Sequence, residues 1–335
     1  MTITIDKILG VFFFFLCLFP YISLIDTPFD TQPYAIAFSF VLLFLLFTLK
    51  KDLKLPVILL PFIFVFAYSL FIFLVRSSDW SNGLRSLIGY ASVCFIAIGS
   101  YHTFNQVKGK HFATAVMIWF IFGVIQLLVN KDFGSFLLSR LSTSDDRGVT
   151  SLAVEPSFYS IICIFFFVLN DVFYARGDYS KSIYRILFLL ITAQIFFARA
   201  GVGIVLFFIY LGAKVISKRK FVNIVTGLIG VLVVFGIVVC LYLYSPSLQL
   251  TRVGMLLNYL IHDPIKLIQS DGSIADRLVH IFISHLSLFY SYGIGYGLGN
   301  WNEYALEIAF RAGGIVLQLA NVNITLSGRI MSGWG

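Results

Sequence analysis

Residues 140–160 read RLSTSDDRGVTSLAVEPSFYS and lie between two long apolar runs. Arg140, Asp145, Asp146, Arg147 and Glu155 crowd into this stretch, although charged residues make up only 12% of the chain. It begins as a polar loop and ends by running into an apolar helix. Pro156 biases Glu155 toward an extended conformation, and its own fixed φ suits a first helical position, so the helix is expected to start at Pro156 or Ser157. A carboxylate and a guanidinium, eight residues apart, then stand at the mouth of whatever the apolar runs build.

Those runs set the fold class. The 335-residue chain is 59% hydrophobic with a mean hydropathy of +0.93, whereas soluble domains are about 45–50% apolar and about 25% charged. An integral membrane protein is implied, and the 37 phenylalanines suit lipid-facing surface. The net charge of +8 reflects loop bias and not a nucleic-acid partner. Cys17, Cys94, Cys163 and Cys240 stand singly inside apolar runs, as small core hydrophobes do. The Phe-rich N-terminus reads as a first span, not a cleaved signal.

A bilayer core takes roughly 20 apolar residues per helix. Nine spans are expected, at 8–25, 34–49, 55–75, 83–101, 112–129, 157–174, 182–198, 200–216 and 221–243. The short loops holding Lys50, Lys51 and Lys54, then Lys108 and Lys110, then Arg176, Lys181 and Arg185, then Lys214, Lys218, Arg219 and Lys220 all fall on one side. That side is assigned as cytoplasmic, with the N-terminus. The expectation is therefore an all-α, polytopic transmembrane helix bundle over residues 1–243. One medium loop spans 130–156 and one large one 244–310, both outside the cytoplasm. Within the large loop, 273–290 places Ile274, Leu278, Ile281 and Phe282 at helical spacing, as an amphipathic helix on the membrane surface would. GIGYGLGN (293–300) reads as a flexible turn and not a dinucleotide-binding pattern. Residues 311–335 read as a poor tenth span or an end cut short.

Charges at membrane depth cost at least ~2.5–3.5 kcal/mol on insertion scales and need a reason. Arg199, in FFARAG (196–201), either snorkels to the outer interface or aims into the same outer cavity as Arg147. Arg277 lies one turn from His280 on the amphipathic segment, on a solvated face or facing that cavity. Arg85 reads first as an interfacial anchor. Glu155 is either a helix-terminal carboxylate favoured by the dipole or a functional acid. His262, His280 and His285 show no metal-ligand spacing, and no metal or cofactor is expected. Arginines gathered in a partly dry cavity suit a diphosphate, because the planar fork grips phosphate oxygens bidentately and keeps its charge.

At these residues the chain resembles the bacterial O-antigen polymerase and O-antigen ligase superfamily. RGVTSLAVEPS (147–157) is similar to the family's R-x-x-G-x-x-x-E-P-[SN] motif through Arg147, Glu155, Pro156 and Ser157, with the glycine beside the arginine. Ala198-Arg199-Ala200-Gly201 resembles a helix-ending Ser-Arg-small pattern without its serine. Arg277 followed by GIGYG (293–297) resembles a loop arginine followed by a P-x-G-x-G turn, without the proline. WNEYALE (301–307), ending in Glu307, with Gly313-Gly314, loosely matches H-N-x-[YF]-L-E and a glycine pair; Trp301 in place of histidine speaks against the ligases.

The resemblance implies a metal-independent polymerase of lipid-linked polysaccharide repeat units in a bacterial inner membrane, with the two outer loops and the active site periplasmic. Its substrate would be an undecaprenyl-diphosphate-linked oligosaccharide, and membrane lipid, a chain-length regulator and a flippase would be its partners. Arg147, Arg199 and Arg277 would bind the diphosphate and stabilise its developing charge. Glu155 would orient one of them or act as general base. Arg85, His280 and Glu307 are secondary candidates. Two other readings are an O-antigen ligase and a transporter or flippase that binds the lipid-linked sugar. The second should show paired broken helices, and none are visible.

Overall fold

A computed structural model describes residues 5–23, 31–50, 56–141, 147–217, 221–245, 252–263 and 272–300, with 304, 305, 307, 308 and 311. Among these residues the regular structure is helical, with no strand beyond an isolated bridge between Ile22 and Leu138. The helices are α1 (Ile5–Leu18), α2 (Tyr34–Lys50), α3 (Leu60–Arg76), α4 (Trp80–Thr103), α5 (Gly109–Leu128) and α6 (Pro156–Ala175). There follow α7 (Lys181–Ala198), α8 (Gly201–Ile216), α9 (Phe221–Tyr244), α10 (Arg252–His262) and α11 (Gly272–Tyr290).

Among the described residues, five helical stretches are long and apolar enough to cross a membrane: Val57–Arg76, Trp80–Gln106, Gly109–Leu128, Pro156–Ala175 and Lys181–Ala198. All nine expected spans coincide with helices, but not all at full length. α1 stops at Leu18, two residues short of Pro20, where a span to residue 25 is expected. α8 has 16 residues, so it rises only about 24 Å. α10 was not anticipated, since it falls where the sequence reads as loop.

The chain divides into two compact units, residues 1–42 with 100–258, and residues 43–99 with 259–335. The first is built on an aromatic core. Phe112, Phe166, Phe167, Phe173, Trp119 and Tyr159 are wholly buried, and Trp119 stacks on Tyr159 with centroids 5.6 Å apart. The phenylalanines therefore divide between interior and surface, where the composition alone suggested surface; Phe44, Phe64 and Phe165 are among the exposed ones. Cys94 and Cys163 are buried, but Cys240 is exposed on α9. Close helix packing uses small residues. A Cβ on Gly203 of α8 would collide with the side chain of Ser160 on α6.

In the second unit, Asp79 accepts from the backbone N–H groups of Ser81 and Asn82 at 3.0 and 3.1 Å. It thereby caps α4, and those bonds hold its carboxyl below the usual carboxylate range. The glycine run after α11 is held down, not slack. Arg76 donates to the Gly295 carbonyl at 2.8 Å, Tyr68 to Ile294 at 2.9 Å and Ser77 to Leu298 at 2.8 Å. Asn300 donates to the Arg76 carbonyl at 2.7 Å and accepts from the Ser78 backbone at 3.0 Å. Gly297 and Gly299 have φ of 110° and 81°; a Cβ on the first would strike the Arg76 carbonyl at the end of α3, and one on the second the backbone of Asn82 and Gly83 in the first turn of α4. Glycine is required here for shape and for close approach. On α11, Ile281 and Phe282 are exposed and Ile283 is buried.

Candidate functional site

The site is set by one glutamine. Gln126 on α5 is buried in an otherwise apolar face. Its Oε1 accepts from the backbone N–H groups of Thr150 and Ser151 at 3.1 and 2.6 Å. Its Nε2 donates to the carbonyls of Phe133 and Ser151 at 2.7 and 2.9 Å. Irregular backbone within a buried region must have its polar groups answered, and Gln126 answers them. Residues 149–154 are consequently buried almost completely, although the stretch reads as an open polar loop. Ser151 has a φ of 51° and donates its hydroxyl to the Trp119 carbonyl at 2.7 Å.

The pinned segment docks on the end of α7. Val149 N–H donates to the Phe197 carbonyl at 3.0 Å, answering a helix-end acceptor. Gly148 lies so close to Phe197 and Ala198 that a Cβ there would overlap their backbone. Arg147 and Arg199 are thus each one residue from a single backbone contact. α7 ends with Arg199 itself in the left-handed region, at φ 45° and ψ 36°, a conformation that costs a side-chain-bearing residue about 1–2 kcal/mol. Both arginines are half-buried, and neither guanidinium has a hydrogen bond or ion pair among the described residues. The Arg147 carbonyl accepts from Lys131 Nζ at 3.2 Å.

Glu155 takes the position before α6, extended as expected, with Pro156 first in the helix. Its carboxylate does not cap the helix. It accepts from Ser157 Oγ at 3.3 Å and faces Arg140 Nη2 at 3.8 Å. The guanidinium beside Glu155 is therefore that of Arg140, which carries no role in the sequence reading. The ends of α5 and α7 and the starts of α6 and α8 all meet at this end of the first unit. The positive helix starts of α6 and α8 add to the arginines.

The opposite end of the same helices is differently made. Lys214 on α8 pairs with Asp171 on α6 at 2.5 Å, and Tyr210 and Tyr184 donate to the same carboxylate at 2.6 and 2.8 Å. Arg176 pairs with Asp178, whose carboxylate also accepts from Gly109 N–H at 2.8 Å and so caps α5. The Arg176 guanidinium beside it holds the Asp178 carboxyl below the usual range. Burial pushes the neighbouring Tyr179 phenol up.

The remaining expected residues belong to the second unit. Arg85 is exposed on α4. Arg277 and His280 lie three residues apart on α11, with their side chains outside the described ones. Glu307 pairs with Arg311 at 2.5 Å, one helical turn away. Residues 301–303 and 313–314 of the fourth motif lie outside the described residues. Among those described, no three His, Cys, Asp or Glu side chains gather as a metal group. Gln126 and the Asp171–Lys214 pair were missed, yet each had a signal: a lone polar residue inside an apolar run. No family model, curated protein or solved structure matches the chain.

Proposed function

We propose that this chain is a membrane glycosyltransferase that polymerises lipid-linked polysaccharide repeat units at the outer face of a bacterial inner membrane. The observation that carries the proposal is the pair of guanidiniums, Arg147 and Arg199, that no described residue answers, on the residues flanking the contact of Gly148 with Ala198. Two half-buried arginines at one helix-bundle end match a dianionic leaving group, which each can hold bidentately. Basic short loops at the opposite end support a cytoplasmic assignment there and an outer one for the arginines.

In the proposed reaction the acceptor sugar's hydroxyl oxygen attacks the anomeric carbon of the donor glycan. A new C–O glycosidic bond forms while the bond from that carbon to the diphosphate oxygen breaks. The electron pair leaves on undecaprenyl diphosphate, whose charge Arg147 and Arg199 stabilise. The hydroxyl proton passes to a base. Glu155, facing Arg140 and hydrogen-bonded by Ser157, is better placed to orient Arg140 than to take that proton.

The test is complementation of a strain lacking the gene. Arg147→Ala and Arg199→Ala are expected to reach the membrane normally and to leave single capped repeat units in place of long chains. Arg199→Lys is expected to be defective too, because an ammonium lacks the fork. Wild-type chain length in the alanine variants contradicts the proposal. In the deletion strain, polymer stranded on its lipid carrier would indicate a ligase, and no outer product at all a transporter.

A further inference from the structure

A second feature of the first unit lies away from the arginine pair, at the Asp171–Lys214 end. Here α7, α8 and α9 enclose an open cleft of about 480 Å³, within the range of about 300–1,000 Å³ usual for small-molecule sites. Its composition is graded along the helices. At its mouth stand Arg185, near the start of α7, and Lys214, near the end of α8. One turn further in, about 6 Å along the axis, the wall becomes Phe188, Leu189 and Leu211, with Val231 from α9.

The two cations differ. Lys214 is neutralised by Asp171 and bonded to the hydroxyls of Tyr184 and Tyr210. Arg185 is exposed and has no ion pair or hydrogen bond among the described residues. Lys181, also exposed, precedes it on the first turn of α7. The mouth thus carries positive charge that no described residue answers, and the wall behind it is apolar and open to the side. A molecule that satisfies both has an anionic head and a hydrocarbon tail.

We propose that this cleft binds an anionic phospholipid, its phosphate against Arg185 and one acyl chain along Leu189, Leu211 and Val231. Basic pockets between membrane helices recognise such headgroups through charge, and apolar area holds the chain. The Asp171–Lys214–Tyr184–Tyr210 network serves as the rigid floor between head and tail. This site depends on the chain spanning a membrane and is independent of the glycosyl-transfer reading.

The protein purified in neutral detergent should be titrated with phosphatidylglycerol, phosphatidylcholine or inorganic phosphate. Thermal unfolding and native mass spectrometry give the readouts. A ligand of the folded state raises Tm by mass action. Phosphatidylglycerol is expected to raise Tm by several degrees and to remain bound, while the other two do neither. Arg185→Gln, which removes the charge, and Leu189→Trp, which fills the cleft, should each weaken phosphatidylglycerol binding about tenfold or more. Arg185→Lys should retain most of the binding. Both positions are exposed, so the core is untouched. Equal stabilisation by phosphatidylcholine, a shift from inorganic phosphate alone, or unchanged binding in both Arg185→Gln and Leu189→Trp overturns the proposal.

Discussion

The two ends of the α5–α8 assembly are made of the same residue types and do opposite things with them. At one, Asp171 meets Lys214 and Asp178 meets Arg176, each half-shielded charge with its counterpart. At the other, Arg147 and Arg199 sit half-buried with no partner among the described residues, while Glu155 faces Arg140. Charge that is answered inside the protein holds structure together. Half-buried charge that no described residue answers is open to a partner from outside. Arg199 adds backbone strain to this cost, occupying a conformation in which glycine would be more comfortable.

The contrast can be broken most severely at Gln126. Gln126→Leu removes the acceptor of two buried N–H groups and a donor to two carbonyls, and should destabilise the protein by about 3 kcal/mol. Thermal unfolding of the purified variant measures this. Next comes Gly148→Ala, whose methyl group cannot coexist with the Phe197–Ala198 backbone. A cost of about 2 kcal/mol is expected from this overpacking, together with loss of long glycan because Arg147 and Arg199 are pushed apart.

Arg199→Gly sharpens the comparison from the other direction. It should stabilise the fold by about 1 kcal/mol by relieving the left-handed strain, yet abolish polymer formation. A variant that is both less stable and fully active would show Arg199 to be structural. The smallest effect concerns the paired end. The Asp178 carboxyl is depressed, so its contribution is complete above the unfolded value of about 3.9 and disappears as pH falls through the lower folded value. Asp178→Asn should be less stable than wild type at pH 6 by under about 1 kcal/mol, since the pair is partly solvated. The difference should begin to shrink as pH falls below about 4 and vanish only below the depressed folded value.

Much of this was legible in the residues. Apolar run length marked the helices, and Pro156 marked the start of α6 because its ring fixes both its own φ and its neighbour's range. The position of Arg199 at a helix end could be read from the same boundaries. What could not be read were non-local contacts. Nothing in the sequence of 148–154 says that a glutamine two dozen residues earlier will bury it. The docking of GIGYGLGN on the α3–α4 turn was equally hidden, since glycines fit both a loose turn and a tightly held one. The termination of α1 at Leu18 also went unread, because Pro20 was counted inside an apolar run.

The most direct test of the central claim is the sidedness of the arginine pair. Single cysteines at Arg147→Cys and Arg199→Cys, in a background lacking Cys17, Cys94, Cys163 and Cys240, can be treated with a thiol reagent that does not cross membranes. Both should label from the outer face of intact cells, and an excess of undecaprenyl diphosphate should slow both together. Labelling of the two positions from opposite faces, or of both only from the cytoplasm, would contradict the account.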